Sequence, residues 1–228
     1  GRNLKGVHFA LELLSQQNRI LEGIVIPSKD IINCKGKKVL VIGGGDTGSD
    51  CVGTANRHKA ASVTQIEIMP QPPVGHNPET PWPLYPQVLK TSSSHEEGCI
   101  RRWNLASVRF IGDKNTLKGV EVEEVKWQPT EKEGRPEMRK TGRTEVIEAD
   151  LVFLAMGFIH PEQEGLVKEL SLAVDARGNI AVDPVTNQIA DTNLFASGDA
   201  VSGASLVVRA MASGRKVAAA IDQYLRNK

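Results

Sequence analysis

Residues 37–50, KKVLVIGGGDTGSD, contain an apolar strand pattern that runs directly into three consecutive glycines. We expect a buried strand over residues 38–42, because apolar and β-branched residues follow one another there. A helix is predicted from residue 46 to about residue 58, and a second strand over residues 62–68, SVTQIEI. Strand, helix and strand in this order predict a parallel sheet.

The glycines at positions 43, 45 and 48 have the spacing of a dinucleotide-binding turn. In that turn the glycines permit a tight bend, a close backbone approach to a pyrophosphate, and close packing of helix on strand. The helix N–H groups and the helix dipole favour the anion. Glycine-rich turns also serve purely structural ends, but the strand before this one and the βαβ order around it favour the nucleotide.

An acidic residue that binds a ribose 2′-hydroxyl would lie about 20 residues further on, at the end of the second strand. Glu67 is near that spacing, but the pattern predicts it inside the strand, with residues 69–71 at the tip. A tip without a carboxylate leaves room for a 2′-phosphate, so NADP is favoured over NAD. Arg57 and His58 could supply positive charge there, or they could be solvated residues at a helix end.

The rest of the chain is predicted to contain a long proline-rich loop, an antiparallel β-meander, a return to the parallel sheet and further helices. The predicted elements are a helix over 6–18, the loop over 69–86, strands over 107–111, 118–127 and 145–147, a solvated hairpin tip over 128–143, a buried strand over 150–157, a strand over 192–200 and a helix over 205–224.

Composition excludes several classes of partner and site. The 228 residues include 28 basic and 27 acidic side chains, so a net charge of +1 indicates neither a nucleic-acid nor a membrane-surface partner. Cys34, Cys51 and Cys99 have no C-x-x-C spacing, which disfavours a disulfide framework, a metal site, an iron-sulfur cluster and a dithiol centre. With no run of roughly 18 apolar residues and no leader pattern, a cytoplasmic setting is predicted.

A second candidate site lies in residues 194–200, LFASGDA. Gly198 permits close backbone approach, and Asp199 is predicted at a helix start. There its carboxylate could accept a hydrogen bond from a ribityl hydroxyl or cap the helix. Both interpretations are open from spacing alone.

Three ordered segments together resemble a known family: VIGGGDTGSDCVGTA (41–55), ADLVFLAMGF (149–158) and TNLFASGDAVSGASLVVRAMASGRKVAAAI (192–221). They are similar to the small, or beta, subunit of NADPH-dependent glutamate synthase and to the related flavin modules of dihydropyrimidine dehydrogenase. Residues 1–14 and the sequence SHEEG at 94–98 also look like that family. The resemblance covers essentially the whole chain.

The resemblance implies an α/β fold: a Rossmann-like parallel sheet with an antiparallel β-meander, in the three-layer FAD/NAD(P)-binding arrangement. It also implies an NADP domain inserted into a partial FAD domain. The implied boundaries are 1–34 for a partial FAD-domain segment and connector, 35–158 for the NAD(P)-binding domain, and 159–228 for the C-terminal part of the FAD domain.

The resemblance also implies which residues contact cofactors. The NADPH pyrophosphate is expected to meet Gly43, Gly44, Gly45, Asp46, Thr47 and Gly48. The crossing between the domains is expected near Met156 and Gly157. FAD is expected to contact Gly198, Asp199 and Val207. The family's FAD domain begins with a glycine-rich loop of its own, preceded by a domain that holds iron-sulfur clusters. This sequence contains neither, and it starts at Gly1 as if entered in the middle. We therefore expect an incomplete FAD site, clusters only in an N-terminal domain that is absent here, and an inactive isolated chain.

The implied chemistry is hydride transfer from NADPH to FAD, with electrons passed onward to a large subunit that forms glutamate. The cofactors carry this chemistry, so no catalytic residue and no metal site are predicted. Alternatives are a pyrimidine-reducing or ferredoxin-linked flavin module, and a nucleotide-binding module without turnover. A disulfide reductase is disfavoured because C-x-x-C is absent.

Overall fold

The computed structural model describes residues 1–84, 87–129 and 136–227. In these residues the β-strands and α-helices are, in chain order, β1 (Val7–Phe9), α1 (Ala10–Leu21), β2 (Lys38–Ile42), α2 (Asp46–Arg57), β3 (Ser62–Ile66), α3 (Ser93–Glu96), β4 (Ile100–Arg102), β5 (Leu105–Asp113), β6 (Thr116–Gln128), β7 (Glu137–Glu148), β8 (Leu151–Leu154), α4 (Asp199–Ser202) and α5 (Val207–Arg226).

A five-stranded parallel sheet has the order β1-β8-β2-β3-β4. The strand predicted from the opening stretch, β2, lies at its centre, paired in register with β3 from Lys38↔Ser62 to Ile42↔Ile66. Strands covered on both faces read as continuous apolar runs, which is the pattern that β2 and β8 show. The predicted parallel sheet is confirmed.

Side chains alternate across β2 and define two cores. Val39 and Val41 face a cluster that α1 and α2 complete, including Leu13 and Cys51. Leu40 and Ile42 face the opposite cluster, to which β5 and β6 contribute. Helices, parallel sheet and antiparallel sheet are therefore three packed layers, as the fold class predicts.

The antiparallel sheet has the order β5-β6-β7, which confirms the predicted meander. Its strands are longer than expected, because β6 continues to Gln128 and β7 begins at Glu137. Much of the predicted hairpin tip, 128–143, is thus strand, and residues 130–135 of that tip lie outside the described part of the chain.

The beginning of the chain differs from the predicted helix over 6–18. Val7–Phe9 form β1, which pairs with β8 at Val7↔Val152, and the helix begins only at Ala10. Glu12 accepts the Phe9 N–H at 3.0 Å, which marks the first turn of α1. The helical pattern missed this strand because β1 is three residues long and is stabilised by pairing with a strand far away in sequence.

The chain divides into two compact units, residues 1–156 and 157–228. The first unit holds both sheets and includes β1 and α1. The assignment of 1–34, 35–158 and 159–228 to cofactor domains stays a prediction.

The second unit has a small core around Val167, Ile180 and Ile189. The predicted strand over 192–200 is wrong: the segment makes one bridge, Gln188↔Phe195, and α4 begins at Asp199. Its apolar residues Leu194 and Ala196 pack on that core instead of entering a sheet.

The predicted helix over 205–224 is confirmed as α5. Three side chains in its first turns, Val207, Val208 and Met211, are between 65% and 76% exposed. Among the described residues, no helix is both long enough and apolar enough to cross a membrane.

Candidate functional site

Two glycines of the glycine-rich loop are required by packing inside the protein. Gly43 follows β2 with φ +121, and a Cβ there would lie 2.2 Å from the carbonyl oxygen of Ala155. Gly48 is in the first turn of α2, and a Cβ there would lie 2.3 Å from the carbonyl oxygen of Gly43. Gly43 therefore makes the turn, and Gly48 lets the helix approach the strand.

Gly45 has a different environment. It precedes α2 with φ −79 and ψ −176, a conformation that any residue adopts. Apart from its two chain neighbours, no atom of the described residues lies within 4 Å of the place where its Cβ would stand. The space beside Gly45 is open, and the first N–H groups of α2, which have no partners within the helix, begin there. This is the arrangement that a pyrophosphate requires.

Glu67 lies at the tip of the second strand and not inside it, because β3 ends at Ile66. Its Oε2 accepts the N–H of Gly44 at 2.5 Å, and its Oε1 accepts the N–H groups of Ile68 and Met69 at 2.8 and 3.2 Å. The carboxylate that was predicted to be missing from the tip is therefore present. Three backbone donors hold it, and it fastens the glycine-rich loop to the end of β3.

Beside this carboxylate lies a cavity of about 240 Å³ with basic walls. The lining residues that matter most are Gly44, Glu67, Lys90, Arg101, Arg102 and Trp103. Both arginines come from β4, whose Arg101 pairs with Gln65 of β3. Sequence reasoning missed these residues because a three-residue strand has no readable period, although the adjacent pair Arg101-Arg102 was visible.

The two arginines of the cavity differ in their partners. Arg102 donates two hydrogen bonds to Glu145, at 3.1 and 2.5 Å, and this pairing lowers the pKa of the Glu145 carboxyl. Arg101 makes weaker contacts: Nη1 donates to the Thr91 hydroxyl at 3.3 Å, and the guanidinium lies 5.2 Å from the centre of the Trp103 ring. Arg101 is thus the arginine with donors available for a ligand.

Arg57 and His58 do not supply charge to this cavity. They lie at the C-terminal end of α2, about 17 Å along the helix from the glycine-rich loop. Arg57 pairs with Glu97, and His58 Nε2 contacts Gln17 Oε1 at 2.8 Å. Both are structural residues of the helix end.

In the second unit, the predicted site residues flank one loop. Gly198 has φ +65 and donates its N–H to the Ser213 hydroxyl at 3.1 Å. Gly198 is the N-cap of α4 and Asp199 is its first residue; the Asp199 Oδ1 accepts the Ser205 N–H at 3.2 Å. Val207 begins α5 and is 76% exposed.

The structure brings most of the predicted residues together within each unit. The glycine-rich loop and Met156 share the carboxyl edge of the parallel sheet, where the Met156 nitrogen would lie 3.4 Å from a Cβ on Gly43. Gly157, with φ +85, begins the second unit, to which Gly198, Asp199 and Val207 also belong.

Comparison with known proteins agrees with this geometry. The family described as Pyridine nucleotide-disulphide oxidoreductase matches residues 3–214. The chain belongs to this family.

Relatives within that family are similar over nearly the whole chain. Glutamate synthase [NADPH] small chain of Mycobacterium tuberculosis is 42% identical over 229 residues, which are 99% of this chain and 46% of that protein. Glutamate synthase [NADH] of Schizosaccharomyces pombe is 35% identical over 235 residues, which are 100% of this chain and 11% of that protein. The chain thus spans less than half the length of these curated relatives.

A solved structure supports the fold alone. The structure of Mycobacterium tuberculosis FprA in complex with NADPH matches with a TM-score of 0.70 at 13% identity, over 100% of this chain and 60% of that one.

The cysteines of this family member are poorly suited to disulfide exchange. All three are free thiols. Burial raises the pKa of Cys34 to about 11 and that of Cys51 to about 12, and it also raises the pKa of Cys99. Thiolates, not thiols, are the reactive species, so these groups are held in the inert form. Across the described ranges, no three His, Cys, Asp or Glu side chains are grouped as metal ligands.

Proposed function

We propose that this chain binds NADPH through residues 43–48 and contributes part of an FAD site through residues 198–207, in an oxidoreductase of the glutamate synthase small-chain type. The observation that carries the proposal is the contrast among the motif glycines. Packing within the protein requires glycine at Gly43 and Gly48. It does not require glycine at Gly45, where the open space would be filled by a bound pyrophosphate.

In this proposal the residues of the chain bind and orient the two cofactors, and none of them has to transfer a proton. The first N–H groups of α2 and the helix dipole would hold the pyrophosphate, and Gly45 would let it approach the backbone. When bound, NADPH supplies a hydride and the flavin accepts it. The protein contributes the positions of the two groups, which is consistent with the lack of a candidate acid or base in the sequence.

The wall of the cavity favours NADPH over NADH. In NAD-binding proteins an acidic residue at this strand end accepts a hydrogen bond from the ribose 2′-hydroxyl. Here the Glu67 carboxylate is already held by three backbone N–H groups. Arg101 would instead meet a 2′-phosphate, for which a guanidinium fork is well suited.

The flavin-binding segment is supported by the loop of the second unit. Both hydrogen bonds that the described residues make to the Asp199 carboxylate reach Oδ1, at 3.2 and 3.5 Å, so Oδ2 remains for a ligand hydroxyl. The exposed start of α5 at Val207 offers an apolar contact for the ring system.

Similarity extends the proposal to the intact protein. We infer that it passes electrons through iron-sulfur clusters in a further domain to a large subunit that forms glutamate, in the cytoplasm. The isolated chain would lack that transfer.

The test is the flavin absorbance spectrum of the purified chain mixed with FAD and titrated with NADPH or NADH. Bound flavin bleached by NADPH at lower concentration than by NADH supports the full proposal. NADPH binding without retained flavin reduces it to a nucleotide-binding module. Binding of neither cofactor overturns it.

A further inference from the structure

A chain of hydrogen bonds connects α3 to the glycine-rich loop. His95 Nε2 lies 2.9 Å from Gln65 Oε1, and Gln65 Nε2 donates to the carbonyl oxygen of Gly43 at 2.9 Å. Gln65 lies on β3, between β2 and β4, and is only 2% exposed. Its amide is therefore hydrogen-bonded to these two groups instead of water. The amide oxygen needs a donor, and the amide nitrogen needs an acceptor.

The partners determine the state of the imidazole. The Ser92 N–H can only donate, and it points at His95 Nδ1 from 3.1 Å, so Nδ1 carries no proton. Nε2 then carries the proton and donates to Gln65 Oε1. The Gly43 carbonyl can only accept, so it requires the Gln65 amide nitrogen. Both ends of the chain give the same assignment, with His95 neutral.

Burial and the nearby Arg101 lower the pKa of His95, which keeps the ring in this neutral state. The Ser49 and Ser92 hydroxyls are also hydrogen-bonded to each other, which joins the first turn of α2 to the same group of side chains.

The Gln65 amide controls the geometry of the loop at its first peptide. Its Nε2 would lie 2.8 Å from a Cβ on Gly48, so the amide fits between two of the motif glycines. Holding the Gly43 carbonyl orients the peptide that Gly43 shares with Gly44, whose N–H points to Glu67 at 2.5 Å. The direction of this peptide sets the path of the chain into Gly45 and the first N–H groups of α2.

Other contacts hold α3 in place without His95. Asn56 Nδ2 donates to the Gly98 carbonyl at 2.7 Å, and Arg57 pairs with Glu97. The buried Ser94 packs on Gly53, where a Cβ would lie 2.6 Å from its hydroxyl oxygen. His95 also closes the capping box of α3 by accepting the Ser92 N–H, but we expect the contacts of Asn56, Arg57 and Ser94 to keep the helix in place when that side chain is changed.

We propose that His95 is a positioning residue for NADPH binding: acting through Gln65, it holds the Gly43 carbonyl and fixes the glycine-rich loop in the orientation that receives the pyrophosphate. The proposal rests on the function proposed above. It assigns no contact between His95 and the nucleotide.

Two substitutions separate the two nitrogen atoms of the ring. His95→Gln places an amide N–H where Nε2 donates to Gln65, but it loses the acceptor for the Ser92 N–H. His95→Asn keeps an acceptor near Ser92 but is too short to reach Gln65. His95→Gln gives up both contacts of Nδ1, with the Ser92 N–H and with the Ser92 hydroxyl, whereas His95→Asn gives up the one contact with Gln65, so a purely structural role would weaken the protein at least as much in His95→Gln.

The experiment measures the NADPH dissociation constant by fluorescence titration and the melting temperature of the wild type and both variants. We expect His95→Gln to bind within about twofold of the wild type and His95→Asn about five- to tenfold more weakly, with similar melting temperatures. Equal affinities in the two variants would overturn the inference while leaving NADPH binding itself established. A wild type that does not bind NADPH would overturn both proposals.

Gln65→Met gives a second, independent variant if His95→Asn does not fold. It removes both hydrogen bonds of the Gln65 amide, to His95 and to the Gly43 carbonyl, while keeping a side chain of similar length. We expect the same five- to tenfold loss of NADPH affinity, about one lost hydrogen bond. Full affinity in Gln65→Met would contradict the positioning role.

Discussion

At the residue scale, the three positions of the motif are glycine for different physical reasons. Gly43 and Gly48 are crowded by backbone carbonyl oxygens at 2.2 and 2.3 Å from an added Cβ, whereas Gly45 faces open space. One spacing pattern thus combines two glycines that the folded chain requires with one that its packing does not require, and the proposed pyrophosphate would account for the third.

Gly45→Ala should leave the free energy of unfolding within about 1 kcal/mol of the wild type, because the new methyl meets nothing and the backbone is unstrained. NADPH affinity should fall more than about tenfold, since the methyl occupies the space of the pyrophosphate. Urea denaturation and NADPH fluorescence measure the two quantities.

Gly43→Ala is the contrasting control for that prediction. It should destabilise the fold by about 2 kcal/mol or more, through the clash with Ala155 and the positive φ. Unchanged NADPH binding in Gly45→Ala would refute the ligand-side explanation of that glycine.

Arg101→Ala should discriminate between the two nicotinamide nucleotides. Charge-assisted hydrogen bonds contribute about 1.5–3 kcal/mol, so the dissociation constant for NADPH should rise about ten- to hundredfold while that for NADH stays nearly constant. Arg109→Ala, which removes an exposed arginine paired with Glu121 on the meander, is the matched control. Equal losses for NADPH and NADH would remove Arg101 from the 2′-phosphate site.

Stability should also depend on pH through two histidines. Burial lowers the pKa of His58 and His95 below the ordinary value of 6.5, so the fold favours their neutral forms. Their stabilisation is complete above that value and is lost as pH falls through the folded pKa values. The urea midpoint should therefore decrease below about pH 6.5, before the carboxylates titrate. His95→Gln should flatten this decrease, and an unchanged slope would count against the neutral state of His95.

At the element scale, β1 and α1 are parts of the layered first unit. β1 extends the parallel sheet beside β8, and α1 packs on the same core as α2 through Leu13, which is 0% exposed. The secondary structure of residues 7–21 thus depends on strands that lie far along the chain.

Leu13→Ala should cost about 2–5 kcal/mol of unfolding free energy, the range for truncating a buried leucine. Leu21→Ala, on the same helix but 75% exposed, should change it by less than about 0.5 kcal/mol. Thermal and urea denaturation compare the two. Similar small effects from both would show that α1 does not belong to the core.

At the scale of the whole molecule, the two compact units should respond to different cofactors. With NADPH, amide hydrogen exchange should slow in residues 43–48 and 100–103; with FAD, it should slow in residues 198–207. Mass spectrometry of the full chain measures both. Protection of residues 198–207 by NADPH alone, or of 43–48 by FAD alone, would contradict the assignment of cofactors to units.

Much of the first unit could be predicted from local pattern. The strand at 38–42, the helix from Asp46 and the meander follow from apolar periodicity and glycine position, which each segment carries by itself. The short strands β1 and β4 could not be predicted in this way, because three residues show no period and their stability comes from pairing with distant strands. The strand predicted at 192–200 was wrong because its sequence is strand-like but no strand of the described residues pairs with it. Its apolar residues pack on the small core of the second unit instead.

The sequence by itself determined the fold family, the glycine-rich turn and the Gly198-Asp199 loop, because spacing along the chain is sufficient for motifs made of neighbouring residues. Only the tertiary structure decided what surrounds them. Pairing of β3 with β4 places Arg101 in the same cavity wall as Glu67, and the fold brings the Gly44 N–H to the Glu67 carboxylate and His95 to Gln65. These contacts join residues that are about 20 to 35 positions apart, and no local pattern encodes such distances.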